Sequence, residues 1–223
     1  MNKNVMKRVI QVVVTLAAQG ILLFVSAGTV MWQWAWIFLL LGIVILIINF
    51  FVLPVELVAE RGTKKENVKK WDRILTSVSI IPYLGMFIVC GLDYRYEWSG
   101  DLDISLNVSG LILYFLGSML FTWSMISNKY FSTMVRIQLE RDHSVATNGP
   151  YKYVRHPGYV GFILFTLATP LALGALHGLL IAGIMAVIFI IRTRLEDKTL
   201  KAELKGYADY SAIVRYKLIP FLW

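Results

Sequence analysis

The sequence predicts an all-α, polytopic membrane bundle: four spanning helices followed by a C-terminal helical hairpin and amphipathic helix at the membrane surface. Three observations lead there. Hydrophobic residues make up 57% of the 223 positions against 16% charged, with a mean hydropathy of +0.64, too apolar for an ordinary water-soluble domain. The apolar residues gather into runs of the length that crosses a hydrocarbon layer about 30 Å thick, about 20 residues each. Lys and Arg concentrate in alternate connections, the asymmetry that orients membrane helices.

The first run covers residues 9–28, the second 32–53, the third 74–92 and the fourth 106–127. Lys3, Lys7 and Arg8 ahead of the first run, with Val25-Ser26-Ala27 near its end, imitate a signal peptide. The run exceeds the cleaved kind's apolar length of about 7 to 15 residues, so it reads as a retained span. The last apolar stretch, 158–191, is too long for one span and short for two. Pro170, Gly174 and Gly178 interrupt it midway, which predicts a tight hairpin that need not cross fully. Beyond it Leu195, Leu200, Leu204, Tyr207, Tyr210, Ile213 and Val214 recur at roughly helical spacing with charges between. That pattern predicts amphipathic helix broken around Gly206. Trp32, Trp34, Trp36, Trp71 and Trp98 read as an interfacial aromatic belt. The chain thus divides into an anchoring part, 1–127, and a polar loop, hairpin and tail, 128–223.

Charge assigns sides. The N-terminal tail holds Lys3, Lys7 and Arg8. The 54–73 connection holds Arg61, Lys64, Lys65, Lys69, Lys70 and Arg73 against Glu56, Glu60, Glu66 and Asp72. The connection after the third run has Asp93, Glu97, Asp101 and Asp103 with only Arg95, and the 128–156 and 192–217 segments are basic again. Both termini and all basic segments are therefore expected in the cytosol, in the cytoplasmic membrane if the chain is bacterial. The net charge of +8 is explained by topology and anionic headgroups, and nucleic acid is not expected as a partner. The single cysteine, Cys90, excludes an intrachain disulfide and any zinc site built on several cysteines; it reads as a small buried side chain, and no metal is expected.

Two polar constellations flank the hairpin on the same expected side. In the first, residues 149–161, Gly149 and Pro150 prevent a helix through the preceding residues. His156-Pro157 can start a helix with free N–H groups, Gly158 leaves room for close approach, and Gly161 would keep that face open. The polar stretch 138–151 leading into it can wrap a ligand with main-chain groups. Singly, each residue has a plain reading: His156 a cap, Tyr151, Tyr153 and Tyr159 interface anchors, Arg155 a topology marker. An interfacial belt, however, does not require Gly, His and Pro at fixed offsets. In the second constellation Arg192 and Glu196 lie one turn apart. They form either a surface ion pair contributing about 0.3 to 0.5 kcal/mol, or a functional set in which Arg192 orients a carboxylate through its planar fork. Asp197 points elsewhere on the helix and is expected to be solvated or structural.

Gly-x-Tyr-x-x-x-Arg-His-Pro-x-Tyr-x-Gly over 149–161, Arg-x-x-x-Glu-Asp over 192–197, Gly-Tyr-x-x-Tyr over 206–210 and the Val214-Arg215-Tyr216 ending with Ile219-Pro220 together resemble the signature of isoprenylcysteine carboxyl methyltransferases and their membrane relatives. The resemblance runs from about Gln138 to Trp223; the earlier spans match only as membrane helices. It implies S-adenosylmethionine as cofactor, without a soluble-type nucleotide-binding domain, and the sequence has no G-x-G-x-x-G after a strand. It further implies that His143, Ser144, Val145, Ala146, Tyr151, His156, Pro157, Gly158, Tyr159 and Glu196 hold the cofactor while Arg192 faces the methyl acceptor. Gln138, about one residue from a glutamine used in the family, is a further cofactor-binding candidate on the same resemblance, and Asp197 replaces the commoner second Glu. The implied partners are a lipophilic small molecule or lipidated substrate and membrane lipid; the oligomeric state is unknown. Acceptors from carboxylate or thiol to a phospholipid amine remain open. A non-enzymatic transporter or assembly subunit is the alternative of another class, against which the spans offer no buried charge of the kind that marks ion pathways.

Overall fold

The computed structural model describes residues 3–63 and 66–223; Lys64 and Lys65, counted above among the basic residues, lie outside the described residues. Eight α-helices follow one another among them: α1 Lys3–Ala27, α2 Gln33–Val52, α3 Val55–Gly62, α4 Lys70–Tyr96, α5 Ile104–Ile126, α6 Pro157–Leu173, α7 Gly178–Glu203 and α8 Tyr207–Ile213. Five of them, α1, α2, α4, α5 and α7, are long and apolar enough to cross a membrane. The chain is a multi-pass helical membrane bundle. At 17 residues, α6 reaches about 25 Å at 1.5 Å per residue, short of a full hydrocarbon layer.

The elements have local causes. Asp103 caps α5 by accepting the Ser105 N–H at 2.8 Å, satisfying one of the donors left open at a helix start. Pro157 opens α6 at a position where no N–H is needed. Gly174, at φ +68°, ends α6 in the left-handed conformation that a side chain resists. The hairpin therefore turns where the sequence places its breakers, and α7 then runs unbroken through Arg192 to Glu203. The amphipathic stretch is a direct extension of the last span, and Gly206 interrupts it before α8.

The core gathers Leu23, Trp32, Phe38, Met86, Phe87, Cys90, Ala172 and Leu173, while Ile10, Val14, Ile21, Ile43, Ile47, Phe51 and Ile81 point outward. An apolar outer surface is what lipid as solvent permits. The most extensive helix–helix contact joins α5 to α6, and small residues make it possible. A Cβ at Gly110 would lie 2.2 Å from the Ala172 nitrogen, and one at Gly161 would lie 2.6 Å from the Gly117 oxygen.

Several expectations change. Trp32 is not an interfacial anchor: it is 1% exposed and stacks on Tyr94 with ring centroids 4.5 Å apart. The 54–73 connection contains α3, whose apolar Leu57 is buried against the bundle. Gly161 does not hold a helix face open for a ligand; its missing side chain lets α5 approach instead. Asp93, read as a loop charge, lies in the last turn of α4 and is buried.

A candidate site at the basic end of the bundle

The 54–73 connection, the 128–156 segment and the C-terminal tail meet at one end of the bundle. The Lys69 N–H donates to the Val135 carbonyl at 3.1 Å, and the Lys69 ammonium holds Glu203 at 2.7 Å. Arg136 reaches Glu60 at 3.2 Å.

Two buried arginine–aspartate pairs give this end its shape. Arg192, from α7, directs Nε to Asp72 Oδ1 at 2.7 Å and Nη2 to Oδ2 at 3.2 Å, and Nη2 also donates to the Thr133 carbonyl at 3.1 Å. Asp72, fully buried in the first turn of α4, also accepts the Val135 N–H at 2.6 Å. One carboxylate thus ties α4, α7 and the 128–156 segment together. Arg155 makes the second fork, to Asp197, at 2.7 and 3.0 Å, and donates to the carbonyls of Val214 and Arg215. The Tyr207 hydroxyl adds a bond to Asp197 at 3.0 Å, and His156 Nε2 lies 3.4 Å from the same carboxylate oxygen. The His156 N–H donates to the Lys217 carbonyl at 3.0 Å, so the C-terminal tail closes over the start of α6.

Between these pairs lies a cavity of about 240 Å³. His143, Ser144, Val145, Ala146, Tyr151, His156, Gly158, Tyr159, Arg192 and Glu196 all line it. Phe121, Phe131, Phe162 and Phe189 add aromatic faces to its wall, with Phe162 stacked on Phe189 at 3.8 Å. The Tyr159 hydroxyl donates to Glu196, and the Arg192 guanidinium sits 5.4 Å above the Tyr159 ring. Glu196 therefore pairs with a phenol rather than with Arg192. Its carboxylate is held beside the cavity by a residue of the preceding helix, α6.

His143 packs against Tyr130 with ring centroids 4.4 Å apart and the rings tilted, and accepts the Gln138 N–H at Nδ1, 3.2 Å away; in the neutral ring the proton is thereby left on Nε2. Burial, with Arg136 and Arg141 adding and Glu140 opposing, pushes its pKa down to about 4, so the ring is neutral at physiological pH. Burial raises the phenols of Tyr151 and Tyr207 above their ordinary value, which keeps both as hydroxyl donors.

The structure separates some residues from this set. Gln138 does not face the cavity: its side chain donates to the Tyr130 carbonyl at 2.7 Å and accepts from Arg141 at 2.7 Å, spending its polar atoms on the loop itself. Pro157 is buried outside the lining. The space beside Gly158 is taken by Phe131, whose ring carbon lies 2.7 Å from where a Cβ would be. Arg192 cannot present its fork to a bound carboxylate, because Asp72 occupies it. Asp197 is structural and buried, not solvated. Sequence reasoning missed Asp72 and Arg155; the only signal was the position of each beside an apolar run, where topology charges also sit.

Residues 110–202 match the profile of the Isoprenylcysteine carboxyl methyltransferase (ICMT) family. Over that stretch the chain is isoprenylcysteine carboxyl methyltransferase-like. It is 42% identical over 60 residues to the protein-S-isoprenylcysteine O-methyltransferase of Schizosaccharomyces pombe, covering 26% of this chain and 25% of that protein. It is 33% identical over 96 residues to the Saccharomyces cerevisiae protein of the same name, covering 42% and 40%. With protein-S-isoprenylcysteine O-methyltransferase B of Arabidopsis thaliana it shares 28% identity over 147 residues, covering 65% and 71%. The chain thus spans a quarter of the fission-yeast relative's length and most of the plant one's. The matched stretch contains most of α5, the 128–156 segment, α6 and nearly all of α7. It omits Asp72, which holds Arg192, and Arg61 and the α8 tyrosines, which line the cavity.

Proposed function

We propose that the protein is a membrane methyltransferase that uses S-adenosylmethionine to methylate a lipophilic acceptor at the membrane surface, forming a methyl ester on a carboxylate. The observation that supports it is the convergence of residues 143–146, His156, Tyr159 and Glu196 on one aromatic-walled cavity at the polar end of a membrane bundle. The donor set fits such a cofactor. Aromatic faces suit an adenine ring and a sulfonium cation, Glu196 suits a cationic group, and the 143–146 segment offers main-chain groups beside a neutral imidazole.

In this reading His143, Ser144, Val145 and Ala146 hold one side of the cofactor, and Tyr151, His156, Tyr159 and Glu196 the other. S-adenosylmethionine supplies an already activated methyl group on a sulfonium. The chain's own residues then orient the acceptor and exclude water, and positioning of this kind can lower a barrier by about 7 to 11 kcal/mol. A carboxylate acceptor needs no general base. Residues 128–223 with α3, the start of α4 and Phe121 of α5 make the site, and residues 1–127 otherwise anchor it. The basic end faces the cytosol with both termini.

The decisive experiment incubates membranes containing the protein with radiolabelled S-adenosylmethionine and a prenylcysteine analogue, then treats the products with base. Methyl esters release volatile methanol, whereas N-methyl products retain label. Label that stays involatile would replace the ester reading with amine or thiol methylation, and no incorporation with any lipid extract would remove methyl transfer altogether. Sidedness is checked with cysteines at Thr147, Lys201 and Asp101. The first two are expected to label from the cytosol and the third from outside.

A further inference from the structure

Arg61 stands in the last turn of α3 and lines the same cavity as Arg192 and Glu196. Its guanidinium lies 5.4 Å from the Phe131 ring centre and 5.9 Å from that of Phe121. Arg136, Arg155 and Arg192 each hold a carboxylate within 3.2 Å. Arg61 does not. Among the described residues it makes no hydrogen bond or ion pair, and its Nη1 is a buried donor with no acceptor. The adjacent carboxylate, Glu60, is engaged by Arg136.

A buried donor left without a partner is costly, more so when charged. Burial, with Arg8 and Arg192 adding and Glu60 opposing, pushes the Arg61 pKa down to about 9. The group is still a cation at neutral pH, in a place that disfavours one. A guanidinium kept in that state at the wall of a cavity is completed by an oxyanion arriving from the cavity. Phe121 and Phe131, which flank it, offer the same incoming molecule an apolar surface.

We propose that Arg61 binds the carboxylate of the lipophilic methyl acceptor. This rests on the methyl-transfer reading and deepens it. Arg61 takes the role that Arg192 cannot fill with its fork on Asp72; Arg192 instead shapes the wall of the cavity. Because α3 lies outside the stretch 110–202 that matches the family profile, acceptor recognition is supplied from a different part of the chain than the cofactor-facing segment.

The test uses the full chain purified in detergent and follows thermal unfolding with three probes: hexadecanoate, the neutral hexadecanamide of the same length, and S-adenosylhomocysteine. Hexadecanoate is expected to raise the melting midpoint of the wild type, and hexadecanamide to leave it nearly unchanged. Arg61→Met and Arg61→Gln are expected to bind hexadecanoate at least tenfold more weakly while keeping the shift given by S-adenosylhomocysteine. Equal shifts from acid and amide in the wild type would overturn the proposal without reference to any variant. So would wild-type hexadecanoate affinity in either folded variant. If S-adenosylhomocysteine stabilises nothing, methyl transfer falls, while the acid–amide comparison still decides the role of Arg61.

Discussion

Helix α4 carries a buried aspartate at each end, and the two are satisfied in opposite ways. Asp93, in the last turn, accepts the Ser99 N–H at 2.8 Å, the Ser99 hydroxyl at 2.7 Å and the His177 N–H at 3.0 Å. Those donors belong to the neighbouring turn and to the hairpin bend, and they clip two loops together. Asp72, in the first turn, takes a guanidinium from a residue 120 positions away. Nearby main-chain, hydroxyl and imidazole groups suffice to satisfy the Asp93 carboxylate without a guanidinium. Burying a second charge beside it stabilises little unless that charge has something to position. The difference marks one end of the bundle as closure and the other as a shaped cavity.

The largest effect is expected from Asp72→Ala. It strands Arg192 and the Val135 N–H, at a loss of about 3 to 5 kcal/mol, to be read by unfolding in mixed detergent micelles. Cofactor binding should fail with it, since the 128–156 segment loses its anchor. Arg192→Lys keeps charge but loses the fork, a loss of about 1.5 to 3 kcal/mol. Methyl transfer should fall sharply in calorimetry-matched, cofactor-competent protein. Asp93→Asn keeps one acceptor and should lose about 1 kcal/mol, with turnover of the folded protein unchanged. A drop in turnover there would erase the contrast between the two ends.

The smallest effect concerns pH. His143 has a folded pKa of about 4, below the roughly 6.5 of an unfolded chain. Between those values the unfolded state binds more protons, so this contribution to stability is intact above about pH 6.5 and fades as pH falls towards 4. His143→Gln should flatten that part of the acid-unfolding curve. An unchanged curve would mean that the ring is more open to water than its packing against Tyr130 indicates.

The four apolar runs and the broken hairpin were legible because lipid imposes length and continuity on each helix separately. Residues 143–146, Tyr151, His156, Gly158 and Tyr159 were legible as a group because they are close in sequence. What sequence could not give is the pairing of charges. Asp72 sits in a charged run that reads as solvated surface, Arg155 reads as a topology marker, and Arg61 as another. Only the fold tells which of them is buried, and which partner it meets. Gln138 shows the converse: its polar side chain looked available, and its own loop consumes it. The tight spacing at Gly161 was visible, but whether a ligand or a helix would use it was not.

The glycine seam between α5 and α6 has a consequence for how this site can change over time. With Gly110 against Ala172 and Gly117 against Gly161, the stems of the connecting segment are fastened independently of what lies between them. Closing a loop on fixed stems becomes harder only logarithmically with length, by about 0.6 kcal/mol per doubling. Insertions or deletions in the exposed part of that segment, around Thr147 and Asn148, can therefore be absorbed without disturbing the scaffold. The seam turns the ligand-facing wall into an exchangeable part, able to diverge while the bundle beneath it stays the same.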